Sequence, residues 1–155
     1  MIQEFPSSTL QTLLEGNIPP EDLARLRALH RGWLSSLVAK KLAFSDDEYA
    51  LVWLEGCVET EIEEIWQVSP YAGYLGNCLA QAICMEAVKD LLGMTVGRCL
   101  PFPEISPELA LKLEENGFAL TSQGLPGRKY ATLTLAEKSR GCLGCAFRAD
   151  CERQI

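Results

Sequence analysis

The run from Pro70 to Leu92, closed by Gly93, constrains the fold of this chain more than any other stretch. Pro70 suits the first turn of a helix, where a missing N–H costs nothing, and glycine is a natural stop. Apolar residues occupy most of the circumference, so the spacing predicts one long helix central to the core. Asn77, Gln81, Glu86, Lys89 and Asp90 interrupt it. It therefore falls short of the ~20 clean apolar residues that a membrane span needs, and no membrane partner is expected. Cys78 and Cys84 lie within it, six positions apart. That spacing is roughly 240° of rotation, so the two thiols do not share a face. Core packing is the expectation for both, and for Cys57.

Other elements follow from the same rules. Residues 7–15 read as a short helix capped by Ser7 or Ser8. Pro19 and Pro20 open a longer helix, with Glu21 and Asp22 favourable at its positive end. Leu23, Leu26, Leu29, Trp33, Leu37 and Val38 then form one apolar stripe at helical spacing. His30, the single histidine, lies beside that stripe as a packing residue. Ser45-Asp46-Asp47 is a turn, and residues 49–54 are a short apolar run that reads as a buried strand. Residues 59–66 read as a helix with Ile62, Ile65 and Trp66 inward and four glutamates on a solvated face. Residues 94–105 form a loop. Ser106-Pro107-Glu108 starts another helix, which Asn116-Gly117 ends. Residues 118–121 and 130–135 read as strands that pair as a hairpin.

The class expected is α+β, with helices packed on a small antiparallel sheet and an irregular, metal-binding C-terminal tail. With 155 residues, 48% hydrophobic and 23% charged, the chain has enough material for one core. A single domain over residues 1–155 divides into a helical arm (1–19), an α+β body (20–135) and a cysteine tail (136–155). The first residues show neither a basic nor an apolar leader region, so a cytoplasmic location is expected. The net charge is −7. Residues 121–155 carry six cations against three acids, which leaves −10 on the remainder. So acidic a body argues against nucleic acid as a partner.

Seven cysteines in a reducing compartment suggest metal ligation and packing rather than a disulfide framework. Cys142, Cys145 and Cys151 form C-x2-C-x5-C, with Gly141 and Gly144 allowing the backbone to turn around a metal. Such clustered thiols favour an iron–sulfur cluster or zinc. A closed site needs a fourth ligand. Cys99, in an adaptable loop, is the first choice and Cys57 the second. Only one C-x2-C pair is present, whereas structural zinc sites more often show two, so a four-iron cluster ranks ahead of zinc. Arg140 and Arg148 form a basic collar that would favour thiolate and offset cluster charge. Phe147 would shield a cluster from water.

Three segments together resemble the activation domain of cobalamin-dependent methionine synthase and its small standalone relatives. They are LVWLEGCVETEIE at 51–63, YLGNCLAQAICME at 74–86, and NGFALT at 116–121 followed by PGRKY at 126–130 and the cysteine tail. The resemblance covers most of residues 20–155 and rests on order and spacing. It implies an α+β fold of helices around a curved antiparallel sheet, and a role beside corrinoid chemistry. That role is docking on a cobalamin protein, or binding S-adenosylmethionine during reductive reactivation. The family's Arg-x-x-x-Gly-Tyr stretch has no counterpart here. The run after Arg98 is Cys99-Leu100-Pro101-Phe102-Pro103, so the methyl-donor site is not carried over.

Three functions compete on this reading. The first is an iron–sulfur accessory or electron-transfer protein of corrinoid and one-carbon metabolism, partnered by a corrinoid or other redox protein. The second is a zinc-stapled interaction domain without catalysis. The third is a thiol redox protein using Cys142 and Cys145, which lacks a base near the thiols because His30 is distant in sequence.

Overall fold

The computed structural model describes residues 4–93, 101–136 and 145–150. Its elements are α1 (Ser7–Leu14), α2 (Pro20–Trp33), a 3-10 turn (Leu34–Ser36), β1 (Leu37–Phe44), β2 (Asp47–Leu54), α3 (Gly56–Val68), α4 (Pro70–Leu92), α5 (Pro107–Glu115), β3 (Ala131–Leu135) and a final 3-10 turn (Arg148–Asp150). The three strands form an antiparallel sheet in the order β1-β2-β3. The architecture is α+β.

The central strand carries the logic of the core. From Tyr49 to Leu54 every residue of β2 is buried, so both faces of the sheet are covered. Ala50, Val52 and Leu54 join Leu75, Leu79, Ile83 and Val88 of α4, Ile62 of α3 and Leu26 of α2 in one cluster. Tyr49, Leu51 and Trp53 point the other way, to Leu109 and Leu113 of α5, Phe118, Leu133 and Leu135. Period-two alternation thus divides one strand between two apolar layers.

The long helix runs from Pro70 to Leu92 as its sequence predicts. The Ser69 hydroxyl accepts from the Ala72 N–H at 3.2 Å, and Gly93 stops it at φ +62°. The Ser106 hydroxyl caps α5 through the Leu109 N–H at 3.1 Å, and Gly117 follows at φ +85°. Cys78 and Cys84 are core residues. Burial pushes the Cys84 thiol up to about 12, so it stays protonated and inert.

Four local expectations are corrected. α1 has Pro6 at its cap position and no side-chain cap, because Ser7 is already helical. The apolar stripe of α2 does not continue through Leu37 and Val38. Those residues begin β1, whose partners in β2 are Leu54 and Trp53. Residues 118–121 do not form a strand paired with β3. Leu120 makes an isolated bridge to Pro126, and β3 pairs with β2 instead. Cys57 is exposed rather than packed in the core. It sits in the first turn of α3, with Ser36 Oγ 3.3 Å from its sulfur.

His30 is buried among apolar groups. Phe5 meets its ring edge-on, with centroids 5.6 Å apart. Among the described residues, its buried Nε2 has no hydrogen-bond partner. Burial first, and Arg31 second, hold its pKa below the ordinary histidine value.

Among the described residues, no helix is long and apolar enough to cross a membrane.

Candidate metal centre

Of the four proposed thiol ligands, Cys145 lies within the described residues. Cys99, Cys142 and Cys151 lie outside them, as does Arg140. Arg148 opens the final 3-10 turn. Among the described residues, no group of three or more metal-binding side chains comes together.

Cys145 is a free, half-buried thiol. It stands opposite Pro103 in an isolated antiparallel bridge. One residue on, the Ala146 N–H donates to the Phe102 carbonyl at 2.6 Å. The rings of Phe102 and Phe147 then meet, with centroids 5.5 Å apart and planes inclined at 38°. Three consecutive tail residues therefore dock on Phe102 and Pro103.

The receiving segment is itself anchored. The Thr134 hydroxyl of β3 donates to the Pro101 carbonyl at 2.8 Å. Phe102 and Ile105 pack against the cluster beneath α5. Proline at 101 and 103 favours an extended backbone around Phe102, which suits a segment that accepts a bridge. This receiving segment is the part of the site that sequence reasoning missed. Its signal is the Pro-Phe-Pro triplet, where the proline after Phe102 favours an extended backbone at that residue.

The donor chemistry at Cys145 suits a soft metal: a thiol outside any disulfide and partly withdrawn from water. Cys57 differs in kind. It is exposed on α3, with Ser36 as its polar neighbour.

Compared with protein-family models, curated proteins and solved structures, the chain matches none.

Proposed function

We propose that this chain is an iron–sulfur-binding accessory or redox protein, with Cys142, Cys145, Cys151 and Cys99 as ligands. One observation carries the reading: Cys145 pairs with Pro103, so the cysteine tail is fastened to the segment that directly follows Cys99. Connectivity supports it. Cys99 is two positions before Pro101, Cys142 three before Cys145, and Cys151 adjoins Asp150. A trans chain advances at most ~3.8 Å per residue. Each thiol is thus within three residues along the chain of Pro101, Cys145 or Asp150.

When bound, a cluster supplies one-electron transfer. The chain's own groups have simpler tasks. The four thiolates ligate, and Phe102, packed against the cluster beneath α5, backs the docked tail, whereas Phe147 is 50% exposed and shields little. Arg140 and Arg148 offset the negative charge of the ligand set or meet an acidic partner. The link to corrinoid and one-carbon metabolism, by docking a cobalamin protein or assisting its reduction, rests on the family resemblance, and the α+β architecture is compatible with it. The same docking also suits a zinc staple, in which metal only holds the tail to the body.

Anaerobic purification followed by an ultraviolet–visible spectrum and iron and zinc analysis tests the proposal. The expected result is a broad band near ~400 nm with bound iron, both lost in Cys145→Ala. A colourless protein with one tight zinc would replace the redox reading with the staple. A metal-free protein would end both.

A further inference from the structure

The corner where α3 meets α4 leaves three large apolar side chains outside the core. Val68 is 87% exposed, Tyr71 53% and Tyr74 43%. Tyr71 and Tyr74 are three apart on α4 and so share a helix face. Val68 ends α3, three residues before Tyr71. Single exposed apolar residues are ordinary, but a local group of them marks a contact surface.

The rim of this group is acidic. The Tyr71 hydroxyl donates to Asp22 of α2 at 3.0 Å. That bond, with the charges of Asp22 and Glu21, holds the Tyr71 phenol above its ordinary range. Glu15, at the end of α1, acts in the same direction on Tyr74, after the larger effect of its bond to Cys78. Glu64 precedes Val68 by one turn of α3. Arg25 follows Glu21 by one turn of α2.

The sign of the rim selects the occupant. Phosphate backbones and anionic lipid headgroups are repelled by it. A second copy of this chain, docked symmetrically, would set the same acids against each other. We propose that the corner docks a basic protein segment, a helix whose Lys and Arg side chains flank an aliphatic ridge. Val68, Tyr71 and Tyr74 form the apolar centre, and Glu15, Glu21, Asp22 and Glu64 form the complementary rim. An apolar centre rich in tyrosine within a polar rim is the ordinary anatomy of such contacts. None of these residues belongs to the cysteine tail, so the surface stands whether or not the metal reading does.

The test is a nuclear magnetic resonance titration of the full, 15N-labelled chain. The probe is a synthetic peptide with leucine and lysine at helical spacing. Its counterpart with glutamate for lysine serves as the control. The expected result is amide shifts centred on residues 15–22 and 64–74, weakened by salt and absent with the acidic peptide. The double variant Glu21→Lys/Asp22→Lys should bind about tenfold more weakly, which is ~1.4 kcal/mol. Tyr71→Ser/Tyr74→Ser, at exposed positions that leave the core intact, should lose binding while keeping the wild-type circular dichroism spectrum. Shifts spread evenly over the acidic surface, no shift at millimolar peptide, equal binding by the variants, or concentration-dependent self-association through this corner would each overturn the proposal.

Discussion

Three glycines on two helices allow one chemical change to be compared in different surroundings. A Cβ built on Gly73 of α4 would lie 2.5 Å from both Cγ and Cδ2 of Trp66. Carbon atoms in contact prefer about 3.5–4.0 Å, so the overlap is about 1 Å. Cγ is the root of the indole, so the whole ring must swing to relieve it. Trp66 is half-buried against the core. Losing about 100 Å² of its buried surface costs about 2.5 kcal/mol at 25 cal/mol per Å². Replacing a glycine within a helix by alanine returns up to about 1 kcal/mol, and Gly73 is the fourth residue of α4. Gly73→Ala should therefore destabilise the protein by about 1–2 kcal/mol. At Gly76, three residues on, the same Cβ would meet Ile62 Cγ1 at 3.6 Å and Trp33 Cη2 at 3.7 Å, ordinary contact. Gly76→Ala should stabilise by up to about 1 kcal/mol. Gly32 of α2 has open space at that position, so Gly32→Ala should be neutral to stabilising. Urea unfolding followed by circular dichroism measures all three, with midpoints moving at constant slope. If Gly73→Ala proves as stable as Gly76→Ala, the packing of Trp66 against α4 is not as described and the reasoning fails.

Other predictions follow from single contacts. His30 binds its proton less readily when folded than unfolded, so its contribution to stability is complete above the unfolded value of 6.5 and declines as pH falls through the lowered folded value. His30→Phe should flatten the stability–pH curve just below the unfolded value of 6.5, and an unchanged slope there would contradict the burial of this ring. The Glu86 carboxylate is pushed up by burial, but bonds from Lys89 and Thr9, together with the Lys89 charge, leave it below its ordinary value. Its share of stability should be lost below about pH 4.5, and Glu86→Gln should remove that acid limb without altering the His30 limb. Ser106→Ala removes the cap of α5 and should cost about 1 kcal/mol. Ser7→Ala caps nothing and should change stability by less than about 0.5 kcal/mol; equal losses in thermal melts would refute the assignment.

Local signals were readable in the sequence, and long-range pairings were not. Pro70, Gly93 and the Ser106-Pro107 start are punctuated by chemistry that acts within one helical turn, and those helices fall where the sequence places them. β1 was hidden because Leu37 and Val38 continue the α2 stripe at helical spacing. Its strand character comes from eight cross-strand partners in β2, not from its own alternation, which Lys40 and Lys41 blur. Residues 118–121 have strand-like composition, but Phe118 is an anchor in the cluster beneath α5. The Gly127 N–H bonds the Ala119 carbonyl at 2.8 Å, which closes that stretch on itself. β3 is left to find β2, some eighty residues earlier. The same limit applies at the candidate centre. The thiol spacing was evident, but the bridge from Cys145 to Pro103 joins positions 42 apart. Such a contact depends on how Thr134 and the α5 layer hold the receiving segment. Cys57 was misread because its small apolar character says nothing about which side of the first α3 turn it occupies.

The central claim is that Cys99 completes a site with the three tail thiols. Iron per chain, measured after anaerobic reconstitution of wild type, Cys99→Ala, Cys145→Ala and Cys57→Ala, tests it most directly. The account predicts about four irons in wild type and Cys57→Ala, with loss of iron in Cys99→Ala and Cys145→Ala. Full iron retention in Cys99→Ala, with loss in Cys57→Ala, would contradict it.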